Sequence, residues 1–269
     1  MFFQRRRGRM VHPAAIIHST AQIGKGVEVG ADTIIEKNVS IGDGTKIGSR
    51  VVVREGTRIG KMCQIFEFAK VGEAPQGLGG KGKRTSLVMG DENIVQECAT
   101  LDRGTVGGGG KTTIGCGNVF MANSHVGPDC IIGNQVVLAI GAALAGHNTI
   151  GDHVILGGLA AVDQHCRIGA HALITASTGV FRDIPPYMLA SGTRARLFGL
   201  NAAGLKRHGF TEETLAALKK AYRILFRSRL TLKKAMKRLE EEELFGILAV
   251  QHLLQFIKDS NRKTGLMNF

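Results

Sequence analysis

A six-residue periodicity constrains this chain more than any other feature of its sequence. An apolar residue recurs at every sixth position in three consecutive runs, spanning residues 17–71, 89–101 and 114–180. The positions are Ile17, Ile23, Val29, Ile35, Ile41, Ile47, Val53, Ile59, Ile65, Val71, Met89, Val95, Leu101, Ile114, Phe120, Val126, Ile132, Leu138, Leu144, Ile150, Leu156, Val162, Ile168, Ile174 and Val180. A period of six fits neither an α-helix (about 3.6) nor an alternating strand (about 2). It indicates a parallel β-helix built from hexapeptide repeats.

Three hexads make one coil, so residues 18 apart in sequence are expected to stack at roughly the strand spacing of 4.8 Å. Each hexad is expected to form one short strand and one turn. The apolar residue points into the prism, and the Gly or polar residue that follows it takes the strained turn. Aromatic residues are only 5% of the chain and tryptophan is absent, so the predicted core is aliphatic.

Two segments leave the repeat. Residues 72–88 depart from the pattern and return in phase, which predicts a coil-sized extruded loop. Residues 102–113 insert one extra residue and contain a run of four glycines. Loops that leave a rigid scaffold often carry function, although tolerated insertions remain an alternative for both segments.

The chain divides into three parts: a basic tip over residues 1–10, the β-helix over 11–183 and a small helical domain over 184–269. Pro185–Pro186 ends the repeat. Thr211 is a predicted N-cap because Glu212 and Glu213 follow it in the first turn. Thr231 caps a second predicted helix to about residue 243, and a third runs over about 244–258. The predicted fold is therefore an all-β solenoid followed by a C-terminal helical bundle.

The net charge of +13 is unevenly placed. Residues 10–183 carry equal numbers of basic and acidic side chains, whereas residues 184–269 carry 16 basic and 7 acidic ones. This excess is either a solvated helical face or a docking surface for an acidic partner or a phosphate ligand. Nucleic acid is disfavoured as a partner because aromatic stacking groups do not alternate with the basic residues.

Cellular context is suggested by what the sequence lacks. Five cysteines without a CxxC spacing disfavour a disulfide framework and a zinc ribbon. We expect them to be reduced and mostly buried in the coils of a cytoplasmic protein. No run approaches the ~18 apolar residues of a membrane-spanning helix, and residues 1–9 do not lead into a secretory signal.

Asp129, His147 and His165 are spaced 18 and 18 apart, and each follows a core aliphatic residue by three positions. They are expected to form a column on one corner, with neighbours about 5 Å apart. A carboxylate beside an imidazole suits acid/base chemistry. A polar corner ladder is the alternative, and a metal site is disfavoured because no third ligand has a suitable spacing.

Several local runs make the chain resemble the acyl-[acyl-carrier-protein]–UDP-N-acetylglucosamine O-acyltransferase family of lipid A biosynthesis. The runs are Val11–Pro13, Gly90–Asp91, Arg103–Thr105, Gly108–Gly110, Leu144–His147, Ile184–Tyr187 and Gly204–Arg207. The resemblance implies a left-handed parallel β-helix and a homotrimer with active sites between subunits. It also implies transfer of a 3-hydroxyacyl chain from acyl carrier protein to a hydroxyl (or amine) of a UDP-sugar, without a cofactor. Gln164, Asn201, Arg207 and His208 are the implied substrate-binding residues.

The sequence departs from the family at the residue that matters most for this reaction. The family motif is His-x-x-His-Asp-Cys, and its second His is the general base. Here the run is His125 to Cys130, and the base position holds Pro128. Asp102 and Asp163 replace two further family histidines.

Three hypotheses follow from these departures. The first is an acyltransferase whose base is His147 or His125, oriented by Asp129. The second is a paralogue without catalysis that binds acyl carrier protein or a nucleotide sugar. The third is a metal-dependent hexapeptide enzyme.

Overall fold

The computed structural model describes residues 4–6, 9–76 and 85–260, and its main body is a stack of short strands in three sheets. Within each sheet, consecutive coils pair in parallel register. Ile131 pairs with Thr149, and Thr149 pairs with Arg167, each 18 residues further along the chain. The parallel β-helix predicted from the six-residue period is confirmed.

Each sheet runs the length of the solenoid. The first contains Gln4–Arg6, Arg9–Val11, Glu28–Val29, Lys46–Ile47, Gln64–Ile65, Ile94–Val95, Val119–Phe120, Val137–Leu138, Ile155–Leu156, Leu173–Ile174, Met188–Ser191 and Arg196–Leu200. The second contains Ile16–Ile17, Ile34–Ile35, Val52–Val53, Lys70–Glu73, Thr100–Asp102, His125–Val126, Ala143–Leu144, Ala161–Val162 and Gly179–Val180. The third contains Gln22–Ile23, Ser40–Ile41, Thr57–Ile59, Ser86–Met89, Lys111–Ile114, Ile131–Ile132, Thr149–Ile150 and Arg167–Ile168.

The core of the β-helix consists of the residues that the period selects. All of the repeat positions from Ile23 to Val180 are buried, and Ile17 in the first coil is partly buried. Phe120, Leu138 and Leu156 are among the largest fully buried side chains. The hydrophobic stabilisation of the body therefore comes from one continuous aliphatic column.

The turn geometry differs from the expectation that the residue after the core aliphatic takes the strained conformation. The left-handed residue is three positions after the core aliphatic, as at Asp129 (φ 58°) and His147 (φ 53°). The glycine directly after the core residue serves close stacking instead. A Cβ at Gly42 would lie 2.5 Å from the backbone of Gly60 in the next coil.

The two interruptions leave the body where the sequence predicts, but the strands reach further than expected. Lys70–Glu73 and Ser86–Met89 extend into both ends of the predicted 72–88 loop. Residues 77–84 of that loop lie outside the described residues. The second insertion connects Thr100–Asp102 to Lys111–Ile114, which leaves residues 103–110 as a loop on the surface.

The C-terminal segment begins with strands rather than helices. Met188–Ser191 pairs in parallel with Leu173–Ile174, and Arg196–Leu200 folds back antiparallel to it. These two strands lie within the segment 184–269, which was expected to be helical. They continue the first sheet beyond the end of the repeat and join it to the helices.

The helical bundle contains four α-helices within the described part of the chain. They are α1 (Ala202–Arg207), α2 (Glu212–Tyr222), α3 (Leu232–Glu241) and α4 (Leu248–Lys258). A π-helical turn, Arg223–Arg227, follows α2, and a 3-10 turn, Leu244–Gly246, precedes α4. Both predicted caps are confirmed, since Thr211 accepts from the Thr214 amide and Thr231 accepts from the Lys234 amide. Helix α1 was not predicted.

The cysteines are all free, but only three are buried as expected. Cys63, Cys130 and Cys166 lie in the interior, whereas Cys98 and Cys116 are exposed. Cys98 stands at the left-handed corner position of its hexad (φ 58°), which points its side chain away from the core. Among the described residues, the longest helices have far too few residues to cross a bilayer.

Candidate active site

The predicted column of Asp129, His147 and His165 is present on one corner of three successive coils. The His147 and His165 rings stack with their centroids 4.6 Å apart and their planes 14° apart. His147 Nδ1 lies 3.9 Å from Asp129 Oδ2. The Asp129 side chain is 2% exposed and that of His147 is 27% exposed. The column thus joins a buried carboxylate to an imidazole that reaches solvent.

Asp129 is held in place by the loop over residues 103–110. The Thr105 backbone N–H and hydroxyl both donate to Asp129 Oδ2, at 2.9 and 2.5 Å. The Asp129 backbone N–H donates to the Thr112 hydroxyl oxygen at 2.9 Å. The loop therefore fixes the position of the Asp129 carboxylate beside His147.

Gly108 brings the same loop against this pair. A Cβ on Gly108 would lie 2.2 Å from Asp129 Oδ2 and 2.4 Å from His147 Cε1. Only a residue without a side chain fits this approach. The glycine run in the second insertion is therefore part of the site.

A second imidazole and carboxylate lie close by, on His125 and Asp102. His125 Nε2 is 4.0 Å from Asp102 Oδ2, and His125 Nδ1 is 2.7 Å from the Thr100 hydroxyl. Burial raises the pKa of Asp102 to about 7, and the nearby Glu73 adds to the rise. Burial lowers the pKa of His125. Both groups are thus biased towards their neutral forms.

These groups open into one cleft with a volume of about 510 Å³. Its lining consists of Pro75, Gln76, Asp102, Thr105, Val106, Gly107, His125, Pro128, Ala145, His147 and Gln164. The structure therefore brings together three of the candidate site residues, His125, His147 and Gln164. It also places Pro128 on the cleft wall, where a proline side chain has no atom that can accept a proton.

The other predicted substrate-binding residues lie outside this lining. Asn201 is 6% exposed and caps α1: its Oδ1 accepts from the Gly204 amide at 3.1 Å. Its Nδ2 donates to the His171 carbonyl at 3.0 Å. Arg207 ends α1 and is exposed.

His208 follows α1 and packs on two histidines of the β-helix. Its ring centroid lies 4.5 Å from that of His153 and 5.0 Å from that of His171. His153 and His171 are both half-buried at this junction. His208, directly after α1, packs on both rings.

Three contributors to the site were missed at the sequence level: Gln76, Thr105 and Gly108. All lie in the segments that interrupt the repeat, where the 18-residue spacing gives no register. The run of four glycines indicated that this loop could carry function, but it did not indicate that Gly108 contacts Asp129 and His147. Across the described residues, no three His, Cys, Asp or Glu side chains converge in a way that could hold a metal ion.

Comparisons with known proteins were made on the sequence and on the fold. Residues 183–267 match the family model of UDP N-acetylglucosamine O-acyltransferase domain 2, and residues 20–55 match that of the bacterial transferase hexapeptide repeat. The acyl-[acyl-carrier-protein]–UDP-N-acetylglucosamine O-acyltransferase of Myxococcus xanthus is 50% identical, over 94% of this chain and 97% of the relative. The chain belongs to the acyl-[acyl-carrier-protein]–UDP-N-acetylglucosamine O-acyltransferase family. The family member of Anaeromyxobacter sp. is 44% identical over 94% of this chain and 98% of its own.

Solved structures agree with this membership. The UDP-N-acetylglucosamine O-acyltransferase of Moraxella catarrhalis aligns with a TM-score of 0.89 and 38% identity, over 96% of this chain and 99% of its own. The enzyme of Francisella novicida aligns with a TM-score of 0.92 and 35% identity, over 97% and 94%. The predicted left-handed parallel β-helix with a C-terminal helical bundle is confirmed, as is the family resemblance.

Proposed function

We propose that this chain is an acyltransferase that moves an acyl group from acyl carrier protein to a sugar hydroxyl of UDP-N-acetylglucosamine, with His147 as general base. Family membership supports the reaction. One observation carries the choice of base: His147 lines the cleft and faces the buried Asp129. Pro128, at the position of the family's general base, lines the same cleft and cannot accept a proton.

The chemistry requires one proton acceptor near the attacking hydroxyl. The hydroxyl oxygen attacks the thioester carbonyl while His147 Nε2 accepts its proton. The C–O bond forms, the C–S bond breaks, and the carrier-protein thiolate takes the proton from the imidazolium. Asp129 Oδ2, 3.9 Å from Nδ1, stabilises the transient positive charge electrostatically, as the carboxylate does in other Asp–His pairs.

His147 is better placed for this role than His125. Both ring nitrogens of His125 face protein groups, since Nδ1 contacts the Thr100 hydroxyl and Nε2 faces Asp102. His147 faces Asp129 with Nδ1, and its side chain, 27% exposed, lines the cleft. Burial also lowers the pKa of His125, which weakens it as a proton acceptor.

The remaining substrate contacts are assigned by family membership together with position. Gln164 lines the cleft beside His147 and is proposed to bind the sugar or the acyl chain. Asn201, Arg207 and His208 lie near α1, away from that lining, and are proposed to bind the uridine diphosphate end. A homotrimer would allow α1 of one subunit to complete the cleft of the next.

We place the reaction in the cytoplasm, without a bound cofactor. Acyl carrier protein is acidic, and the C-terminal segment, with 16 basic and 7 acidic residues, has the complementary charge. The acyl-carrier thioester is itself the activated donor.

A turnover assay tests the proposal against the non-catalytic alternative that Pro128 raises. The purified full chain is mixed with 3-hydroxyacyl carrier proteins of several chain lengths and with UDP-N-acetylglucosamine, and acyl-sugar is followed by mass spectrometry. Product at an enzymatic rate supports the proposal. Nucleotide-sugar binding without product would instead identify a binding paralogue, because loss of a general base costs roughly 10²–10⁴ in rate.

A further inference from the structure

We propose that His165 is a positioning residue for His147: its ring stacks on the His147 ring, holds it over Asp129, and limits how readily the pair takes up protons. The inference deepens the proposed function and rests on it. His165 itself is not assigned any contact with substrate.

The stack follows from the repeat. His147 and His165 occupy the same position in consecutive coils, three residues after a core aliphatic, and both have left-handed backbones (φ 53° and 64°). Their amides donate to the preceding coil, from His147 to the Pro128 carbonyl at 2.8 Å and from His165 to the Gly146 carbonyl at 3.2 Å. Equal backbone geometry sends both side chains from the corner in the same direction. The 4.6 Å ring separation is therefore close to the coil spacing of about 4.8 Å.

This arrangement encloses His147 between two groups. Asp129 approaches the ring edge from the preceding coil, and the His165 face covers the ring from the following coil. With His165 covering one face, rotation of His147 away from Asp129 is sterically opposed. When His147 accepts the hydroxyl proton, a neutral His165 can stabilise the imidazolium through its π face.

Protonation of His165 would have the opposite effect. A second positive charge 4.6 Å away disfavours the imidazolium that the reaction must form. Among the described residues, the other titratable groups of the site include Asp129 beside the His147 ring, Asp102 and His125 in the same cleft, Glu73 near Asp102, and Asp163 in the His165 turn. All of these are retained when His165 alone is replaced.

Stacking by itself is a general property of these coils. His153 and His171 stack with the same 4.6 Å separation on another corner. The stack on His147 differs because the ring below it faces a buried carboxylate and lines the cleft. The test must therefore detect coupling of charge and not only loss of packing.

Two substitutions separate the coupling of charge between the two rings from the loss of packing. His165→Phe keeps an aromatic face over His147 and removes the titratable group, whereas His165→Ala removes both. His18→Ala, at an exposed histidine of the first coil, is the control. The ring resonances of His147 are followed by NMR as a function of pH in the full-length protein, which needs no turnover. The kcat of each variant is then measured over the same pH range.

We expect the two rings of the wild type to titrate in coupled steps. In His165→Phe, His147 should titrate in a single step and at higher pH than in the wild type. The acid limb of kcat should move with it, while the plateau stays near that of the wild type. In His165→Ala the plateau kcat should fall roughly 2- to 5-fold with KM unchanged.

Identical His147 titration curves in the wild type and both variants would overturn the inference, whatever the activity. If the wild type shows coupled titration but no turnover, the proposed function fails and the stack alone remains.

Discussion

Three side chains of the candidate site, Asp129, His147 and His165, occupy the left-handed corner position three residues after a core aliphatic residue. That position accepts Asn, Asp and His more readily than most side chains, because they tolerate positive φ better. The body uses it for Asp129, His147 and His165 at one corner and for His153 and His171 at another. The 18-residue spacing predicted the first column from sequence. The contacts of Thr105 and Gly108 could not be predicted, because the insertion that carries them has no register with the repeat.

Gly108 allows a direct test of the site geometry. Gly108→Ala should lower kcat by roughly 10- to 100-fold, because the methyl would displace Asp129 and His147 from their pairing. Gly246→Ala, outside the cleft lining, adds the same methyl at a place with nothing within 4 Å. It should lose much less activity, and both variants should unfold at similar temperatures. Equal losses in the two variants, measured in one steady-state assay, would mean that Gly108 does not position the pair.

At the scale of elements, sequence reasoning succeeded where a local rule governs the structure. The period selected the strands, and the hydroxyls of Thr211 and Thr231 marked the starts of α2 and α3. Helix α1 was missed because its six residues are too few for an apolar period. Its N-cap, Asn201, was predicted as a substrate-binding residue, and that prediction stands beside its capping role. The strands Met188–Ser191 and Arg196–Leu200 follow Pro185–Pro186, a pair that ends the repeat without ending the sheet.

The junction between the β-helix and α1 should make the protein sensitive to acid. Burial and the nearby His153 and His208 lower the pKa of His171 to about 4, and burial lowers the pKa of His208 and His252. An unfolded chain binds these protons near pH 6.5, so their contribution to stability is complete above that pH and is lost as the pH falls towards 4. Asp102, whose pKa is raised to about 7, has the opposite effect: its contribution to stability is present at low pH and is lost as the pH rises towards 7.

His171→Phe isolates this effect, since it keeps an aromatic ring between Tyr187 and Phe210 and leaves Asp102 unchanged. We expect the decrease in Tm between pH 7 and pH 4.5, followed by circular dichroism, to be smaller in this variant than in the wild type. His18→Ala should behave as the wild type does. If His171→Phe loses as much Tm as the wild type, the junction is not the acid-sensitive element.

In the molecule as a whole, the excess of positive charge and the cleft lie in different parts of the chain. The β-helix is electrically balanced and carries the cleft, while the C-terminal segment carries the positive excess. Such a separation lets a long-range field attract an acidic partner without altering the neutral surroundings of the site. The location of the excess was evident from sequence, whereas the exposed placement of Lys233, Lys234 and Lys237 along α3 required the structure.

Docking of acyl carrier protein should therefore depend on ionic strength. The KM for acyl carrier protein should rise several-fold between roughly 0.05 and 0.3 M salt, since the Debye length shortens and screens surface charges. The KM for UDP-N-acetylglucosamine should change less. A combined Lys233→Glu and Lys237→Glu variant should raise the carrier-protein KM with kcat nearly unchanged. Salt-independent kinetics with the carrier protein would argue against docking on this segment.

A single-turnover measurement tests whether the proton-accepting role has moved from position 128 to His147. Excess full-length protein would be mixed with acyl carrier protein and UDP-N-acetylglucosamine, and the first-turnover rate compared among the wild type, His147→Ala and His125→Ala. We predict that His147→Ala slows the chemical step by roughly 10²–10⁴, whereas His125→Ala slows it far less. A His147→Ala rate equal to that of the wild type, or a larger loss in His125→Ala, would exclude His147 as the general base.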